Sequence, residues 1–205
     1  MNRRNFLISL SASCVPSISY ADNVRSWRSL RDDRVVKQQL DYSCGAASVA
    51  TILREFYSLD LGEADVLSRL TDDGRYTFAD LAGVVQNWGL AGGGIALSFE
   101  KLMELKVPAI AYVLYRGQNH FTVISGVNPT TGVVSVADPS WGNRRFKEHQ
   151  FRRIWETRDE EGAEGRLLLI VPRSLATAAN IDSTFFRTPG GWQNAIETVG
   201  LMRFS

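Results

Sequence analysis

Thiols and imidazoles are scarce in this chain of 205 residues. Cys14 and Cys44 are its only cysteines, and His120 and His149 its only histidines. So small a stock excludes a disulfide-stapled scaffold. It also excludes a Cys/His zinc centre, because the cysteines lie too far apart to share one metal. No metal and no cofactor is expected. No apolar run is long enough to span a bilayer. Charge of one sign is not in excess either: the formal net charge is +1, so neither nucleic acid nor an acidic membrane surface is indicated as a partner. Repeats are absent. Gly92-Gly93-Gly94 lacks the spacing and the lysine of a phosphate loop and reads as a flexible turn, as does Gly190-Gly191. Trp88, Trp141, Trp155 and Trp192 read as core or groove residues rather than a base-stacking platform.

What is present suits one soluble domain with a signal and a tail: 44% of residues are hydrophobic and 22% charged. Residues 1–21 have the form of an export signal. Arg3 and Arg4 supply the positive start, Phe6 to Leu10 begin a short apolar stretch, and Ser19-Tyr20-Ala21 offers small residues at a cleavage point. The Arg3-Arg4-Asn5-Phe6-Leu7 run resembles a twin-arginine signal, with a general secretory signal as the alternative. Ser11-Ala12-Ser13 is a poor context for lipidation of Cys14. Cleavage after Ala21 leaves 21 basic against 22 acidic residues and makes Cys44 the sole thiol. A lone thiol in an oxidising compartment is a liability unless buried or used. Periplasmic or secreted location is therefore the expectation, and Cys44 becomes a candidate functional residue.

Residues 22–34 read as a polar lead-in arm. Cys44 to Tyr57 then sets Ala47, Ala50, Thr51, Leu53 and Phe56 near one helical face. Leu61 to Leu70 is a second short helix, closed by Asp72-Asp73-Gly74. A third runs from Thr77-Phe78-Ala79-Asp80, which has the form of a capping box, to Gly89. Ser98 caps a further short helix through Leu105. From Val107 the pattern turns to strands: Val107 to Tyr115, His120 to Val127 and Val133 to Asp138, with turns at 116–119 and 128–132. Lys147 to Trp155 is helical, Arg166 to Val171 a last central strand, and residues 173–205 a tail. Helices followed by an antiparallel sheet describe an α+β fold, with an N-terminal helical part packed on a C-terminal antiparallel sheet.

Four residues form a chemical constellation. At a helix start, Cys44 sees unpaired amide N–H groups and the positive end of the helix dipole, both of which favour thiolate. His120, at a strand start after a turn, is placed to serve as general base; His149, in a charged stretch, reads as a solvated helix face. Asp138 ends a strand ahead of a proline and suits the role of imidazole orienter, with Asn128 and Asn143 as less well placed alternatives. Gln38, six residues before Cys44, could donate to an oxyanion beside the Cys44 N–H. Gln39 is chemically identical, and spacing alone does not choose between them.

Gln38, Asp41-Tyr42-Ser43-Cys44-Gly45-Ala46-Ala47, Asn119-His120-Phe121-Thr122-Val123 and Ala137-Asp138-Pro139 together resemble the C39 peptidases. These are papain-like double-glycine leader peptidases, best known as N-terminal domains of bacteriocin-exporting transporters. The resemblance runs over 35–172 and takes in the segment Leu105 to Ala111. It implies Cys44 as nucleophile, His120 as base, Asp138 as orienter, and Gln38 rather than Gln39 as oxyanion donor. It further implies cleavage of a peptide or protein substrate after small residues, often a Gly-Gly pair. Without a transmembrane run or a nucleotide-binding segment, the chain looks like stand-alone exported members that accompany fimbrial or functional-amyloid secretion systems. An outer-membrane secretion system is the implied partner. The rival expectation is a non-catalytic binding module of a secretion system, against which the retained Cys, His, Asp and Gln argue.

Overall fold

The computed structural model describes residues 25–70, 76–174 and 178–190. The expected export signal, the Asp72-Asp73-Gly74 turn, Gly191 and Trp192 lie outside the described residues. The lead-in arm carries a short helix, α1 (Trp27–Arg31), capped by Ser26, whose side chain accepts from Ser29 N–H. Four helices follow in or near the first half: α2 (Cys44–Glu55), α3 (Glu63–Leu67), α4 (Phe78–Val84) and, beyond the first strand, α5 (Phe99–Leu102). A 3₁₀ turn extends α4 through Val85–Trp88 and stops at Gly89, whose φ of 70° only glycine adopts freely. The expected capping box at Thr77 is formed: Asp80 N–H donates to Thr77 Oγ1, and Thr77 N–H donates to Asp80 Oδ2 at 2.7 Å.

The strands are β1 (Leu90–Leu97), β2 (Ala109–Tyr115), β3 (Gln118–Asn128), β4 (Val133–Asp138), β5 (Gly142–Phe146) and β6 (Gly165–Pro172), with helix α6 (Glu148–Trp155) before the last. They form one antiparallel sheet in the order β1-β6-β2-β3-β4-β5. Alternation along the strands divides the core in two. Ile110, Val123, Ala137, Leu168 and Ile170 join Ala47, Ile52 and Leu81 of the N-terminal helices on one face. Ala109, Ala111, Val113, Ile124, Val134, Val136 and Leu167 meet Phe99, Phe151 and Trp155 on the other.

Two departures from the sequence reading concern this sheet. Gly92-Gly93-Gly94 is not a flexible turn but the middle of β1, paired with Ile170, Leu169 and Leu168 of β6. Glycine is needed at Gly92 because a Cβ there would lie 2.5 Å from Ala82 Cα, so its absence lets α4 pack flush on the strand. The second departure is β5, a polar edge strand that the sequence pattern does not announce. The described part of the tail packs on the domain. Arg187 N–H donates to Ser125 O at 3.0 Å and Asp182 N–H to Phe56 O at 2.8 Å. The bulge between Ile124 and Gly126 leaves Ser125 out of the pairing with β4.

Candidate active site

Helix α2 is buried from Cys44 to Leu53. Its small residues bring it close to β3: a Cβ on Gly45 would stand 3.1 Å from both Leu81 and Phe121. At the N-terminus, Ser43 does not cap the helix. Its hydroxyl instead donates back to Leu40 O at 2.8 Å and accepts from Leu40 N–H, closing the 40–43 turn on itself. The first-turn amides, including that of Cys44, thus have no partner within the helix and no side-chain cap. Cys44 is a free, buried thiol at this uncapped end.

His120 stands near the start of β3, and Asp138 at the end of β4. Register pairs Val123 with Ala137, so the two side chains meet diagonally across adjacent strands. His120 Nε2–H donates to Asp138 Oδ2 at 3.0 Å, and both side chains are largely shielded from solvent. The other ring nitrogen, Nδ1, is left for the thiol. Burial pulls the imidazole down. The ring's hydrogen bonds to Asp138 and Cys44 and the charges of both outweigh it, and the ring is pushed up to about 9. For Asp138, burial acts upward, yet the bond and charge of His120 and the Trp141 amide hold the carboxyl below its ordinary range. Its second oxygen, Oδ1, accepts from Ser140 N–H at 2.9 Å and Trp141 N–H at 2.8 Å. Pro139 and this turn fix the carboxylate before it meets the ring.

The two glutamines have different surroundings. Gln38 Oε1 accepts from the Ser140 hydroxyl at 2.6 Å, and Gln38 N–H donates to Pro139 O at 3.1 Å. Its Nε2 donates to Leu40 O at 2.9 Å, leaving one amide hydrogen unspent. Gln39 is exposed, with its side chain donating to Lys37 O and its backbone N–H bound by Glu63. Only Gln38 is tied to the turn that carries Asp138.

The other candidates lie elsewhere. Asn128 donates to Pro189 O and accepts from the Thr130 and Thr131 amides, and Asn143 donates to Asp33 O. His149 is exposed in the first turn of α6. Sequence reasoning missed two supports of the site. Ser140 locks the Gln38 amide, for which Asp-Pro-Ser is a readable turn signal. Lys37 pairs with Asp32 at 3.7 Å and adds positive charge near Asp138; no local pattern points to it.

A thiol at a bare helix end, an imidazole held by a carboxylate on the facing sheet, and a fixed amide beside them define a papain-like thiol hydrolase. The Peptidase C39 family matches residues 32–158, and the chain belongs to that family of cysteine peptidases. The probable functional amyloid protease FapD of Pseudomonas aeruginosa is 31% identical over 140 residues, 64% of this chain and 61% of FapD. FapD of Pseudomonas fluorescens is 30% identical over the same shares. The match thus spans less than two thirds of these relatives' length. Among solved structures, a double-glycine-motif protease from an AMS/PCAT transporter, crystallised with its leader peptide, is 25% identical with a TM-score of 0.55. That alignment covers 67% of this chain and 90% of that one. The peptidase domain of Streptococcus ComA shares the fold at the same TM-score and 17% identity, over 67% of this chain and 97% of that domain.

Proposed function

We propose that this chain is an exported cysteine endopeptidase acting on a secreted, fimbrial or amyloid-system substrate. The observation that carries the reading is the His120–Asp138 pair at 3.0 Å beside a thiol on an uncapped helix end. Cys44 Sγ attacks the peptide carbonyl, and the oxyanion takes hydrogen bonds from the Cys44 N–H and the spare Gln38 amide hydrogen. His120 imidazolium gives its proton to the leaving amine as the C–N bond breaks, leaving a thioester. Water then attacks the thioester, His120 takes the water's proton, and the thiolate departs.

The FapD name supports a substrate from an amyloid system, and the leader-bound protease supports cleavage after small residues such as a Gly-Gly pair. The signal-like pattern at residues 1–21 supports export, and through it an outer-membrane secretion system as partner. The test incubates purified chain, under reducing conditions, with candidate exported proteins and compares Cys44→Ala. Cleavage by the native chain alone is expected; equal cleavage by both sinks the reading. Iodoacetamide near neutral pH adds a second measure. A catalytic thiolate alkylates fast, whereas the thiol of a pure binding module with an ordinary pKa of about 8.5 reacts slowly.

A further inference from the structure

The sheet edge beside Asp138 opens into a groove of about 360 Å³ lined by Trp27, Tyr115, Arg116, Trp141 and Arg144, with Arg31 and Asn143 completing it. It lies next to the His120–Asp138 pair. Tyr115, Trp141 and Arg144 also border the small cavity against His120 and Asp138, and Trp141 N–H is bound to Asp138 Oδ1.

Three guanidinium groups face this groove and no carboxylate lines it. Arg31 is committed to Asp32 at 2.7 Å. Arg116 and Arg144 form no ion pair among the described residues; aromatic rings hold them instead. Arg116 lies over Tyr115 and Trp141, its Cζ 5.5 and 6.0 Å from their centroids. Arg144 lies over Tyr115 at 5.6 Å and Phe146 at 5.3 Å, and donates to Tyr115 Oη at 3.1 Å. Contact with ring faces and one bond to Tyr115 Oη orient each guanidinium and leave most of its five N–H donors for a ligand.

The backbone adds an independent sign. Arg116 and Gly117 form the two-residue turn between β2 and β3, both with positive φ, 54° and 78°. Asn or Gly is the favoured first residue of such a turn, and arginine there costs about 1 kcal/mol. Trp141 and Trp27 are also 48% and 80% exposed, large apolar surfaces left open at the groove.

We propose that this groove is a specificity subsite for an acidic side chain of the peptide substrate. The Asp or Glu carboxylate takes the guanidinium N–H groups of Arg116 and Arg144 that Tyr115 Oη leaves over, and the neighbouring peptide lies on Trp141. The proposal rests on the peptidase reading and deepens it. A nucleic acid is the less favoured occupant, since the Tyr115 ring is already covered by both guanidinium groups and the groove shares Tyr115, Trp141 and Arg144 with the cavity against His120 and Asp138.

The test uses a tryptic digest of bacterial protein as a peptide library, with cleavage read by mass spectrometry. Peptides cleaved by the native chain are resynthesised with Asp or Glu near the cleaved bond replaced by Asn or Gln. An acidic residue at one fixed position is expected to raise kcat/KM over its amide isostere by roughly 10- to 100-fold. In Arg116→Gln/Arg144→Gln that ratio falls to about one, and in Arg116→Glu it inverts in favour of Lys. Equal cleavage of acid and amide peptides by the native chain overturns the proposal, as does a ratio that survives the double substitution. So does binding of an oligonucleotide that the double substitution abolishes. Loss of all cleavage by the native chain would refute the peptidase reading instead. The groove is then judged by titrating Cys44→Ala with Asp-bearing and Asn-bearing peptides and following Trp fluorescence, where equal affinities overturn it.

Discussion

Replacing Asp138 with Asn keeps the shape of the orienting side chain and removes its charge. In the native chain His120 is lifted from 6.5 to about 9. At 1.36 kcal/mol per pH unit this is roughly 3 kcal/mol in favour of the protonated ring. A single opposite charge at this range moves a pKa by about 1–3 units. Asp138→Asn should therefore bring the alkaline limb of the pH–rate profile down by about 1–3 units from near pH 9. Two assays measure it: kcat/KM against pH on a cleaved peptide, and NMR titration of the imidazole. For the second, His149→Gln leaves His120 as the only histidine. Stability follows the same shift. The folded ring holds its proton more tightly than the unfolded chain does, so the contribution is full below pH 6.5 and is lost as pH rises through about 9. In Asp138→Asn that slope between 6.5 and 9 should flatten. A native His120 titrating below pH 7, or an alkaline limb unmoved by the substitution, refutes the reasoning.

Three further outcomes can be checked. Gln38→Ala should lower kcat by about 10²–10³-fold, the usual loss for one oxyanion donor, while exposed Gln39→Ala leaves steady-state kinetics unchanged. Tyr57→Phe deletes a buried 2.7 Å bond to Ile170 O, in whose buried setting the phenol is pushed up to about 12. It should cost about 1–2 kcal/mol by urea denaturation, with no change in the pH–rate profile. Gly142→Ala forces a φ of 79° on a side chain whose Cβ would meet Arg31 O and Asp32 Oδ1 at 2.6 Å. It should destabilise by at least about 1–3 kcal/mol, read as a lower thermal midpoint, and lower kcat through the adjoining Asp138 turn.

Cys44 and His120 stand out as candidates in the sequence because thiols and imidazoles are few and each of these two sits near an element end. Gln38 was legible from the residues only as one of a pair; the choice depends on Ser140, a hundred residues away in sequence and therefore invisible to local spacing. Gly92-Gly93-Gly94 misled because a glycine run signals a turn unless one knows that α4 lies against it. β5 has the sequence Gly-Asn-Arg-Arg-Phe, which carries no apolar alternation, and it forms because β4 offers an edge to pair with. The Arg116–Arg144 groove joins a turn, a strand and an arm helix, so no window of sequence contains it.

The register that seats Asp138 across from His120 also sets an order of events. During synthesis Cys44, the proposed nucleophile, emerges first, His120 76 residues later and Asp138 94 residues later. Until β3 and β4 have paired, Cys44 is an ordinary cysteine on an incomplete helix–sheet interface. An emerging chain therefore cannot cut its neighbours or itself, and competence arrives with the completed sheet.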